Sequence, residues 1–146
     1  MYPDERVVSF VTRNFVPAKA HVQSQRDVFD RFGAIWTPTQ LVLDAQGTER
    51  HRVEGFLPVE DFLAQLELGL GKLALDGKNY IEAEHRFRSI CEDHPMAGAA
   101  PEACYWAGVS AYKATNAPDP LRETAGLLSR RYPESEWARK ASVWSG

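Results

Sequence analysis

Apolar positions recur along the first half of the chain with two different periods. Val7, Val8, Phe10, Val11 and Phe15 follow helical spacing behind Asp4, a residue suited to cap a helix, and Glu5 adds charge to the first turn. That helix ends ahead of Val16-Pro17, because the residue before a proline leaves helical space. Ala18-Lys19-Ala20-His21-Val22 alternates and predicts a short strand. A second helix starts at Ser24 or Gln25, carries Val28, Phe29 and Phe32 on one stripe, and stops at Gly33. The apolar run Leu41-Val42-Leu43 reads as a buried strand, with Pro38 placed just before it, where no ladder bond is required of it. Gln46-Gly47 makes a tight turn, and residues 48–53 return as a second strand of a hairpin. After a break at Gly55, Leu57-Pro58-Val59-Glu60 opens a helix whose Phe62, Leu63, Leu66 and Leu70 face one side.

From about residue 69 the pattern changes. Strand formers thin out, and Ala, Glu, Arg and aromatic residues at helical spacing take over. Leu70-Gly71, Tyr80, Ala83, Phe87 and Pro95 fall in the spacing of a tetratricopeptide repeat. In such a unit small residues let two helices pack closely, aromatic residues fill the gap, and a proline ends the second helix. A looser second unit runs from Ala103-Cys104-Tyr105-Trp106-Ala107-Gly108 through Tyr112, Leu121, Leu127 and Leu128 to Tyr132-Pro133, with Pro118-Asp119-Pro120 at the turn between its helices. Glu134-Ser135-Glu136 starts a last helix, with Trp137, Ala141 and Trp144 placed to cover the end of the stack. The helix from Pro58 either continues through Gly69–Gly71 into the first repeat helix or breaks there.

Composition narrows the function classes. The chain has 146 residues and a formal charge of −3, with no block of like charge. Neither a nucleic-acid footprint nor an acidic tail is expected. No run reaches the ~18–20 apolar residues of a membrane span, and Met1-Tyr2-Pro3-Asp4-Glu5 lacks the features of a signal peptide. The expectation is a soluble, cytoplasmic protein, unless the native start lies upstream. The two cysteines, Cys91 and Cys104, form no Cys-x-x-Cys, and His21, His51, His85 and His94 are scattered without metal-ligand spacing. Cytosolic thiols are usually free, so both are expected as buried small side chains, without metal or cofactor. The alternative is a redox pair: Cys91 ends one predicted helix and Cys104 begins the next, so antiparallel packing brings them close. Asp27 and Asp30, Arg130-Arg131 and Arg139-Lys140 read as solvated faces.

The first half resembles a thioredoxin-like domain from the end of its active-site helix onward. Phe32-Gly33-Ala34 resembles the family's aromatic-Gly-Val, and Trp36-Thr37-Pro38-Thr39 the loop that carries its cis proline. Asp44-Ala45-Gln46-Gly47 resembles its hairpin turn, and Val53-Glu54-Gly55 with Leu57-Pro58 the step into its last helix. The implied fold is an α/β partial domain over residues 1–68, three strands with flanking helices, followed by tetratricopeptide-like helical hairpins over residues 69–146. The resemblance also implies that Trp36, Thr37 and Pro38 border a peptide-binding groove.

The family's Cys-x-x-Cys has no counterpart, since no cysteine occurs in the first half. Disulfide exchange needs a thiolate nucleophile, so no catalytic residue is assigned. The reading is a non-catalytic interaction module that takes a protein or peptide partner. The alternative is a thiol-disulfide oxidoreductase whose active-site segment lies upstream. The family strand between residues 18–22 and 40–43 is also missing, which exposes sheet edges and suggests a homodimer through them.

Overall fold

The computed structural model describes residues 3–146. Helix α1 (Glu5–Asn14) starts where the Asp4 carboxylate accepts the N–H of Arg6 at 2.8 Å, satisfying one of the unpaired donors of a helix start. It ends at Phe15, whose backbone is extended. Helix α2 (Arg26–Phe32) stops at Gly33, which takes the left-handed conformation at φ 61°. Strands β1 (Thr39–Leu43) and β2 (Glu49–Glu54) pair antiparallel, with Thr39 opposite Glu54 and Val42 opposite His51. The Asp44 carboxylate closes the turn between them by accepting the N–H groups of Gln46 and Thr48, each at 2.9 Å.

Among the described residues the sheet has two strands, not the expected three. Residues 18–22 form none. Alternation makes a strand only where a neighbour can satisfy the backbone, and among the described residues no strand lies beside this segment. Val16 is 98% exposed. The chain turns instead: the N–H groups of Ser24 and Gln25 bond the His21 carbonyl at 3.2 and 2.8 Å.

The second half is helical throughout. Helix α3 (Val59–Asp76) runs without a break through Gly69 and Gly71. It is followed by α4 (Tyr80–Asp93), α5 (Ala100–Thr115), α6 (Asp119–Arg131) and α7 (Glu136–Ala141), then a 3-10 turn, Ser142–Trp144. The side chains of Asn79 and Ser135 cap α4 and α7, and Asn116 closes α5 at φ 58°. Each of α3, α4, α5 and α6 packs on the next in order.

Three clusters of buried side chains hold these layers. Val7 of α1 meets Phe62 and Leu66 of α3. Ala64 and Leu68 of α3 meet Phe87 and Ile90 of α4 and a row of α5 alanines, Ala100, Ala103 and Ala107. Cys91, Cys104, Ala125, Leu128 and Ala141 join α4 to α7. Helix α3 thus contributes to the first two clusters and also carries the hairpin. A Cβ on its Gly69 would stand 2.7 Å from Val42 Cγ2 of β1, so the strand lies directly on the helix backbone.

Two further small residues set helix spacing. A Cβ on Gly71 would meet three ring atoms of Phe87 at 2.5–2.9 Å, and one on Gly108 would stand 2.8 Å from Thr124 Cβ. By contrast, a Cβ on Gly126 would meet only the mobile guanidinium end of Arg130, at 3.0 Å. Overpacking costs about 1–3 kcal/mol, whereas Gly to Ala inside an unobstructed helix gains about 0.8–1 kcal/mol. Gly71→Ala is therefore expected to lower the urea midpoint, and Gly126→Ala to raise it.

Candidate functional site

The loop from Gly33 to Pro38 is held at both ends while its side chains face outward. At its start, the Ala34 N–H bonds the Phe29 carbonyl at 2.9 Å and closes the end of α2. At its end, the Thr39 hydroxyl donates to the Trp36 carbonyl at 2.7 Å, and the Gly55 N–H donates to the Pro38 carbonyl at 2.8 Å. The Thr37–Pro38 peptide is cis. Ile35 is 81% and Trp36 67% exposed. A cleft of about 260 Å³ runs between Val22, Arg26, Phe29 and Asp30 on one side and Trp36 and Thr37 on the other. Of Trp36, Thr37 and Pro38, the first two line this cleft, and Pro38 immediately precedes β1.

The edge of β1 continues this cleft. The Pro38 carbonyl and the Asp44 N–H both bond toward β2. Alternation along an antiparallel strand then turns Gln40 and Val42 toward β2, and the backbone groups of Thr39, Leu41 and Leu43 away from it. Among the described residues no strand pairs with that outer edge. No residue of β1 is charged, whereas β2 reads Glu49-Arg50-His51-Arg52-Val53-Glu54.

Charged residues of β2 anchor the hairpin and the loop, and sequence reasoning gave them no role. Arg52 donates to the carbonyls of Phe32 and Gly33, tying the end of α2 to the sheet. Glu49 and Glu54 pair with the same guanidinium at 2.6 and 3.3 Å, and those hydrogen-bonded carboxylates hold its pKa well above the ordinary arginine value. Arg50 bridges Asp44 of the turn and Asp76 of α3 at 2.8 and 2.9 Å. The hydrogen bond from the Thr48 N–H, followed by Arg50, keeps the Asp44 carboxyl below the usual carboxylate range. The sequence signal was the run of alternating charges in β2, which is ambiguous until the partner surfaces are known.

Cys91 and Cys104 are joined in a disulfide with Cα atoms 5.1 Å apart. This corrects the expectation of free thiols. The α4–α5 corner brings the two residues together, and both are nearly inaccessible, at 2% and 3% exposure. The Gly98 N–H at that corner bonds the Asp61 carboxylate of α3 at 2.9 Å, and the Tyr132 hydroxyl bonds the Pro95 carbonyl at 2.6 Å. The bond belongs to this corner and lies in a cluster separate from the loop at Trp36. Trp137 and Trp144 pack beside it around Tyr105, with ring centroids 5.2 and 4.8 Å away, so they serve the core. Among the described residues no three His, Cys, Asp or Glu side chains converge as a metal site, and no helix is long and apolar enough to cross a membrane.

Residues 2–69 match the model of a thioredoxin-like domain, which supports a thioredoxin-family relationship for that segment. The match ends within α3. No curated protein and no solved structure matches the chain.

A disulfide closing a loop of this size, 13 residues in sequence separation, stabilises by about 3 kcal/mol in the chain-entropy account. The double variant Cys91→Ala, Cys104→Ala is expected to lose about that much unfolding free energy. Dithiothreitol should reproduce the loss in the parent protein and leave the double variant unchanged.

Proposed function

We propose that this chain is a non-catalytic protein-interaction module that takes an extended peptide segment along Trp36, Thr37, Pro38 and the outer edge of β1. The observation that carries this reading is the uncharged, unpaired edge of β1 lying beside exposed Ile35 and Trp36. Open edges in monomeric proteins are commonly guarded by charges. The β2 edge has them and the β1 edge does not. Strand addition would supply main-chain hydrogen bonds at Thr39, Leu41 and Leu43, and Trp36 would cover the incoming side chains. A second copy of the chain, pairing antiparallel edge to edge, is one occupant of the same surface.

The helical half is read as tetratricopeptide-like hairpins, α3 with α4 and α5 with α6. Support comes from the close contacts at Gly71 and Gly108 and from the prolines Pro95 and Pro133 just after α4 and α6. Units of this kind offer extended surfaces to partners.

Exchange chemistry has little to work with in this chain. Its two cysteine sulfurs are paired and buried, in a cluster to which no residue of the loop contributes. The match to a thioredoxin-like domain favours a second reading, an oxidoreductase of that family whose Cys-x-x-Cys lies upstream. An insulin-reduction assay on the chain separates the two: the first reading expects no turnover. Turnover that survives replacement of both cysteines would contradict it.

The binding claim is tested by titrating the labelled protein with a peptide carrying the uncharged β1 sequence, Thr-Gln-Leu-Val-Leu, between terminal lysines that keep it in solution. Amide shifts are expected at Thr39, Leu41 and Leu43 and at the Trp36 indole. Trp36→Ala should weaken binding at least tenfold, the effect of losing about 1.4 kcal/mol. Shifts confined to α5–α7, or none, would contradict the proposal. Light scattering that shows a dimer at micromolar concentration would identify the second copy as an occupant.

A further inference from the structure

A chain of polar side chains crosses from the sheet to α5. His51 of β2 lies half-buried against α3. Its Nε2 is 2.7 Å from Gln65 Oε1, and its Nδ1 is 3.2 Å from Lys72 Nζ. Lys72 Nζ is also 2.8 Å from Glu102 Oε2 on α5, and that same oxygen accepts the Trp106 indole N–H at 3.3 Å. The geometry determines the charge state. An ammonium only donates, so Nδ1 must accept. The Gln65 carbonyl oxygen accepts, so Nε2 carries the proton. His51 is therefore neutral in this arrangement, with both ring nitrogens satisfied.

We propose that His51, Lys72 and Glu102 form a pH-sensitive latch, which holds the β1–β2 hairpin on the helices while His51 is neutral and loosens it when His51 is protonated. A second proton on the ring would sit on Nδ1 and point at the Lys72 ammonium. The hydrogen bond would become a contact between two cations, and one of the two must withdraw. Lys72 is held by Glu102, so displacement falls on His51 and on the strand that carries it.

The charged groups facing the ring are Lys72 from α3, Glu102 from α5 and Glu49 from β2. Strand β1 brings no charge. Burial first, and Lys72 second, push the His51 pKa below the ordinary imidazole range, outweighing the opposite pull of Gln65, Glu102 and Glu49. The sign of the effect follows. The unfolded chain binds this proton at a higher pH than the folded one, so stability rises with pH across the window. The stabilising contribution is complete above the ordinary value of about 6.5 and is lost as pH falls toward the depressed one. The hairpin begins at the loop carrying Trp36, yet the latch stands whether or not that loop binds peptide, because its readout is internal.

The test is a nitrogen-15 titration of the four histidines in the full chain, with amide exchange protection measured at about pH 7.5 and 5. His51 should titrate below the ordinary imidazole range, and Lys72→Met should raise its midpoint. Hairpin protection, relative to α6, should fall in acid by about tenfold per pKa unit of depression. In His51→Gln it should not fall. The latch is overturned if His51 titrates at or above the ordinary imidazole value of about 6.5, or if hairpin protection is unmoved by acid. It is equally overturned if the glutamine variant loses as much protection as the parent. Should that variant fail to fold, an unmoved His51 midpoint in Lys72→Met decides against it.

Discussion

Helix α3 must fit three surfaces at once. Phe62 and Leu66 press on α1, Leu68 and Ala64 on α4 and α5, and the bare backbone at Gly69 receives Val42 of the hairpin. Two residues further on, about half a turn around the helix, Gly71 receives the Phe87 ring. Large side chains at both glycines would push the sheet and α4 outward, and the clusters on either side would lose contact. A helix interior usually disfavours glycine by about 0.8–1 kcal/mol relative to alanine. Here two of them, spaced by one residue, let two layers approach the same helix from different directions. The thioredoxin-like segment and the helical hairpins consequently share one element, α3, which links a buried cluster of each.

The other side of the sheet has no comparable support. No side chain of α2 is fully buried, and the helix end is tied to β2 by the Arg52 guanidinium rather than by packing. Residues 18–22 stay irregular for the same reason that the outer edge of β1 is open: among the described residues neither has a strand beside it. The molecule is therefore asymmetric, close-packed around α3 and open along β1. An open, uncharged edge next to exposed aromatic surface is where an incoming strand gains most, which is why the functional reading centres on it.

Much of this was legible in the sequence wherever the signal is local. Asp4 as a cap, Gly33 as a stop, Asp44 to Gly47 as a hairpin turn and Pro58 at a helix start depend only on near neighbours, and each stands as expected. The strand at residues 18–22 was misread because alternation records a preference, while a strand requires a partner that this segment does not meet. The state of Cys91 and Cys104 depended on the angle of a helix corner, which spacing does not encode, and the usual rule for thiols in a reducing compartment pointed the other way. The link from His51 through Lys72 to Glu102 joins three elements far apart in sequence. No local pattern marks it.

The claim that α3 links both parts is tested most directly by urea unfolding at neutral pH, followed by methyl resonances at two places. Val42 and Val53 report on the hairpin, and Leu128 and Ala107 on the helices. Linkage through α3 predicts one transition, with coincident midpoints at all four positions. Loss of the hairpin signals at a distinctly lower urea concentration, with α4–α6 still folded, would show two independent units and contradict the account.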